Sequence, residues 1–153
     1  MSYITVAMAK YIRAQGDMAI DTPTMRVLVA DDSLIVCARL VTMLSEIEGV
    51  QIVGQARNAQ ETASSVAKLK PDVVILDIQM PGGTGIDALV KMRETGSKAI
   101  VVVLTNYPYP QYREKCEAAG ANFFFDKSNE FEYITPLIQN LMKMESKRWV
   151  LAR

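Results

Sequence analysis

Histidine is absent from all 153 residues. Its absence removes Ser-His-Asp and Cys-His catalysis, most zinc sites, and any phosphohistidine carried by the chain itself. Cysteine is scarce: Cys37 and Cys116 have no CxxC spacing and fall in segments with helical patterning. They fit reduced packing residues of a cytosolic chain. Neither sign of charge is in excess, with 17 Lys+Arg against 17 Asp+Glu, so no overall field favours nucleic acid or an anionic membrane as partner. No apolar run exceeds Ala99 to Leu104, far short of the roughly 20 residues of a membrane helix. The N-terminal stretch places Lys10, Arg13 and Asp17 among its apolar residues, unlike a secretory signal. A cytoplasmic location is expected, and any chemistry must rest on carboxylates, hydroxyls and lysine.

Apolar residues, by contrast, make up 50% of the chain, enough for one core. From Arg26 onward, short branched-apolar runs alternate with longer stretches of helical spacing. The runs are RVLVA (26–30), VQIVGQA (50–56), DVVIL (72–76), AIVVVL (99–104) and ANFFF (121–125). Between and after them, residues 33–45, 58–69, 85–94, 110–119 and 130–144 carry apolar positions three or four apart, such as Leu34, Ala38, Val41 and Leu44. Strands too apolar to have a solvent face, each followed by a helix, predict a parallel sheet covered on both sides. The expected fold is α/β, a doubly wound five-stranded sheet of order 2-1-3-4-5 in a flavodoxin-like three-layer sandwich. Ser33 and Asn58 are expected N-caps, and Pro71 opens the third strand. The expected organisation is an extension over residues 1–24, disordered or helical, one domain over 25–142, and a tail over 143–153 that prolongs the last helix.

Open parallel sheets bind ligands beyond the carboxyl ends of their strands. Here those ends carry Asp31 and Asp32, then Asp77, then Thr105 and Asn106, then Asp126 and Lys127. Beside one another, carboxylates of this number outweigh one lysine, and their repulsion calls for a divalent cation. Oxygen-only ligands point to a hard ion such as Mg2+, which commonly meets phosphate oxygens as well. A single strand-end aspartate is usually a turn former; four matched strand ends form a site.

The segments VLVADDS, PDVVILDIQMPGGTGID, VVVLTN and AGANFFFDKS together resemble the receiver domain of two-component response regulators, the chemotaxis-regulator-like (CheY-like) family, over about residues 26–142. The resemblance implies that Asp77 is the phosphoacceptor and that Asp31 and Asp32 form the acidic pair holding Mg2+, with the backbone carbonyl of Gln79 completing the set. It implies that Thr105 is the switch hydroxyl, Lys127 the phosphate-contacting lysine, and Phe124 the aromatic that turns inward on activation. A histidine kinase or histidine phosphotransfer protein would be the donor, and output would pass through protein contacts on the face of the fourth helix, fifth strand and fifth helix. A phosphorylation-dependent homodimer is a further partner the resemblance suggests. The domain would be a regulatory phosphoacceptor that assists its own phosphorylation and dephosphorylation, not an enzyme acting on others.

Four positions depart from the family pattern. Ser128 replaces the usual cis-linked proline after the lysine, so the turn following the fifth strand should differ. Asn106 stands where a small residue is usual and would narrow phosphate access. Asp126 adds a negative charge that strand alternation should turn away from Lys127. The glycine-rich PGGTG predicts a loosened loop after the third strand. An aspartyl-phosphate hydrolase would need a second aspartate where Gln79 stands, and a flavin-binding module would need a Ser/Thr-rich loop in place of Asp31–Asp32. Little follows the last helix, so the expectation is a stand-alone regulator; the alternative is the receiver portion of a DNA-binding transcriptional regulator.

Overall fold

The computed structural model describes residues 24–151, with side chains from 24 to 144, so expectations for residues 1–23 lie outside the described residues. Five parallel strands form the main sheet: β1 (Met25–Ala30), β2 (Val50–Ala56), β3 (Val73–Leu76), β4 (Ile100–Thr105) and β5 (Phe123–Asp126), in spatial order β2-β1-β3-β4-β5. Between and after them run α1 (Leu34–Ser45), α2 (Ala59–Leu69), α3 (Gly85–Glu94), α4 (Pro110–Ala119) and α5 (Ile134–Leu151), the last entered through a 3-10 turn at Phe131–Tyr133. The expected sheet order stands.

Alternation along each strand divides the core into two layers. Leu28, Ala30, Val74, Leu76, Val101, Val103 and Phe124 face Val66, Leu89, Met92 and Cys116 of α2, α3 and α4. Val27, Val29, Val73, Ile75, Val102 and Leu104 face Cys37, Leu40 and Leu44 of α1 and Ile134, Ile138 and Leu141 of α5. Both faces of β3 are therefore covered, and all four of its side chains are buried. Both cysteines are free and buried, and burial pushes the Cys116 thiol up to about 11, which keeps it protonated.

Ser33 and Asn58 cap their helices as expected, accepting from the amides of Val36 and Glu61. Two local features escaped the sequence reading. Arg93, at the end of α3, donates to the carbonyls of Ser97, Ala99 and Gly120 and to Asn122 Oδ1, stitching together the loops before β4 and β5. The second is the PGGTG segment, which is an ordered hairpin rather than a loosened loop: Gln79–Met80 pairs antiparallel with Gly83–Thr84. Gly82 and Gly83 take φ of 75° and 129°, values that disfavour a Cβ, and Thr84 and Asp87 then close a capping box on α3.

Gly85 serves a different need. Its amide donates to the Ile78 carbonyl at 2.7 Å, and a Cβ there would lie 2.0 Å from the Asp77 carbonyl oxygen. Gly85→Ala is expected to cost about 3 kcal/mol, because the obstacle is backbone and cannot rotate aside. Urea denaturation checks this, and a loss below about 1 kcal/mol would contradict the packing.

Candidate functional site

The carboxyl ends of β1, β3, β4 and β5 do converge. β1 and β3 are neighbours in the sheet, so Asp31 and Asp77, each one residue past its strand, meet there; the Asp77 amide donates to the Ala30 carbonyl at 2.9 Å. Both are buried, at 3% and 6% exposure, while Asp32 faces solvent. One oxygen from each of Asp31, Asp32 and Asp77 falls within a mutual 4.8 Å.

Lys127 reaches in from just beyond β5. Its Nζ donates to Asp31 Oδ2 at 2.6 Å and to Asp77 Oδ2 at 3.0 Å. Its amide donates to the Thr105 carbonyl at 2.7 Å, which joins the ends of β5 and β4. Burial pushes the Asp77 carboxyl above its ordinary value and the Asp31 charge adds to this, against the lowering effect of Lys127. Burial alone would lower the lysine, but its bonds to and charges from Asp31 and Asp77 more than offset that and hold it above its ordinary value. One cation thus serves two buried carboxylates with a third beside them. A small hard cation fits this donor set, which is all oxygen and carries surplus negative charge.

Thr105, the last residue of β4, is fully buried, and its Oγ1 accepts the Tyr107 amide at 3.0 Å. Asn106 is exposed, and its Oδ1 accepts the Ser128 hydroxyl at 3.4 Å, so the loops after β4 and β5 meet. Gln79 begins the hairpin; its amide donates to Asp77 Oδ1 at 3.3 Å. Asp126 turns away from the lysine and organises the following turn, accepting from the Ser128 amide and the Asn129 side chain. That turn closes through Glu130, whose amide donates to the Asp126 carbonyl and whose carboxylate accepts the Asp126 amide. There is no cis peptide among the described residues.

The Phe124 ring lies inside, 6% exposed in the layer with Leu89, Met92 and Cys116. The guanidinium of Arg113 lies over the ring, 4.7 Å from its centroid. Nothing in the sequence singled out Arg113, which reads there as an ordinary charged helix residue.

The family model for the response regulator receiver domain matches residues 27–139. The chain belongs to that family. As a receiver it is 30% identical over 118 residues to the uncharacterized transcriptional regulatory protein YvfU of Bacillus subtilis, covering 77% of this chain and 59% of the relative. It is 39% identical over 98 residues to the response regulator GacA of Pseudomonas viridiflava, covering 62% and 46% respectively. The receiver thus spans about half the length of the curated relatives it matches. Among solved structures, the response regulator domain of Thermotoga maritima CheB superposes with a TM-score of 0.71 at 25% identity, over 79% of this chain and 95% of that one. The CheX-CheY-BeF3-Mg complex of Borrelia burgdorferi matches with a TM-score of 0.65 at 25% identity, over 74% and 89%. The chain is therefore a response regulator receiver of two-component signalling, and no helix among its described residues is long and apolar enough to cross a membrane.

Proposed function

We propose that this receiver, spanning residues 25–142, accepts a phosphoryl group on Asp77 from the phosphohistidine of a sensor histidine kinase or a histidine phosphotransfer protein. The observation that carries this reading is the buried Asp77 carboxylate, bonded to Lys127 and within one ion's reach of Asp31 and Asp32. A carboxylate oxygen of Asp77 attacks phosphorus, the bond to the donor imidazole breaks, and the acyl phosphate is later hydrolysed. Asp31, Asp32, Asp77 and the Gln79 carbonyl would hold Mg2+, which supplies charge neutralisation at the phosphoryl oxygens. Lys127, now shared between two carboxylates, pairs with those oxygens, and the Thr105 hydroxyl leaves the Tyr107 amide to donate to them. Asn106 and Ser128, bonded to each other one residue beyond Thr105 and Lys127, limit the approach of water.

Phosphorylation adds charge and acceptors at one end of the sheet, and the movement of Thr105 and the loop after β4 secures Phe124 in its inward place. The output is protein contact on the α4-β5-α5 face in the cytoplasm, either with a downstream protein target or with a second copy as a phosphorylation-dependent homodimer. A second reading has the domain working as the receiver portion of a DNA-binding transcriptional regulator. It is favoured by relatives named as transcriptional regulatory proteins, which extend well beyond the matched segment. A longer polypeptide on an immunoblot of cells making the protein would select this second reading.

The phosphoacceptor reading is tested by intact-mass measurement after incubation with acetyl phosphate. One phosphoryl addition is expected with Mg2+, removed by hydroxylamine and prevented by EDTA. An unchanged mass with this donor, and again with a phosphorylated histidine kinase, would defeat it.

A further inference from the structure

The first turn of α4 touches one residue assigned to the switch, Phe124, and is linked to the other, Thr105, through Tyr107. From Thr105, contact runs through the Tyr107 amide to the Tyr107 ring, which meets Tyr112 edge-on with centroids 6.4 Å apart and an interplanar angle of 69°. Tyr109 adds a second ring, 6.2 Å from Tyr112, and its carbonyl accepts the amides of both Tyr112 and Arg113. Tyr112 packs partly buried against the layer that contains Phe124. The very next residue, Arg113, holds its guanidinium over the Phe124 ring at 4.7 Å. Among the described residues Arg113 has no ion-pair partner, which leaves its charge to the ring.

We propose that Arg113 is a positioning residue that holds the Phe124 ring inward, and that the Tyr112–Arg113 dipeptide couples that ring to Thr105. This deepens, and rests on, the reading of Thr105 and Phe124 as the switch pair. A cation above an aromatic face is attracted by the ring quadrupole, and a planar guanidinium also shields that face from water. An outward ring forfeits both this contact and its place among Leu89, Met92 and Cys116. When the Thr105 hydroxyl turns to a phosphoryl group, the Tyr107 amide loses its acceptor. The readjustment passes through the Tyr107–Tyr112 ring contact to the turn that carries Arg113. Coupling of this kind is reciprocal: whatever favours the inward ring favours the phosphoryl group by the same factor.

The experiment compares wild type with Arg113→Met, which keeps the stem, and Arg113→Lys, which keeps the charge. Ring-labelled phenylalanine NMR on the unliganded proteins reads the place of Phe124 directly, and thermal melts confirm that each variant is folded. In Arg113→Met the nuclear Overhauser contacts from Phe124 to the Leu89 and Met92 side chains should weaken, and in Arg113→Lys they should be largely retained. Beryllofluoride with Mg2+ should bind Arg113→Met about three- to tenfold more weakly, with Arg113→Lys recovering most of the loss. A ring that stays inward in Arg113→Met overturns the proposal whatever the affinity does. A released ring with unchanged affinity overturns the coupling to the site. Should wild type bind no beryllofluoride, the phosphoacceptor reading fails, while the ring signals still decide the place of Arg113.

Discussion

Asp77→Asn is expected to take up no phosphoryl group from acetyl phosphate or from a phosphorylated kinase, and yet to be more stable than wild type when metal is removed. Loss of uptake follows from chemistry, since an amide oxygen is not a nucleophile that forms an acyl phosphate. The stability gain follows from charge. Lys127 bonds both Asp31 and Asp77, so neutralising Asp77 leaves one buried lysine with one buried partner at 2.6 Å. The gain should be on the order of 1 kcal/mol at neutral pH in EDTA. Its pH dependence has a definite sign. Because folding raises the Asp77 carboxyl above its ordinary 3.8, wild-type stability is fully present below that value and is lost as pH rises through the folded value. Asparagine cannot lose it, so the gap between variant and wild type should be nil in acid and open as the pH rises. Melting curves across pH check this, and a gap that is widest in acid would refute the account. A phosphoryl addition that persists in Asp77→Asn would relocate the acceptor.

Lys127→Met should have the larger effect on the fold. It leaves two buried carboxylates without their cation, and breaking a buried pair in this way costs about 3–5 kcal/mol. Because the lysine is held above its ordinary 10.5, its own titration leaves its contribution intact below that value. The carboxylates set the slope: without the lysine's lowering effect the Asp77 carboxyl rises further, so the penalty should shrink in acid and grow as the pH rises. Mg2+ should restore more stability to the variant than it adds to wild type, since the three oxygens within 4.8 Å then have the greater need of a cation. Adding Asp77→Asn to Lys127→Met should recover part of the loss, as expected of directly bonded groups. Urea denaturation with and without Mg2+ measures all of these. A penalty below about 1 kcal/mol in EDTA would mean that the ammonium is not what balances the site.

Much of this was legible in the residues because a parallel sheet buried on both faces leaves few readings open. β3 is four apolar residues followed by Asp77, and once strand order was settled the other strand ends had to gather beside it. Strand boundaries moved by only a residue or two: Thr105 and Asp126 proved to be the last residues of their strands rather than the first beyond them. The hairpin at Gln79–Thr84 was not legible, since two-residue strands carry no periodicity and glycines there resemble a loose loop. The inward ring of Phe124 and its cover by Arg113 were equally hidden, because the contact joins residues that lie on different elements and share no sequence pattern. Arg93 escaped for the same reason: an arginine near a helix C-terminus looks like a solvated charge, whereas its four bonds tie together the two loops that lead into β4 and β5.

The contact between Gly85 and Asp77 has a mechanical consequence. With the α3 backbone pressed so close to the Asp77 carbonyl that no side-chain carbon fits between them, Asp77 stands against an anvil. On the proposed phosphoacceptor role, charge added to its carboxylate would meet no give on that side. Displacement would be taken up instead where Thr105 and Tyr107 are joined by one hydrogen bond and Tyr107 meets α4 through a ring contact. A missing methyl group would thereby set the direction in which a signal leaves the site.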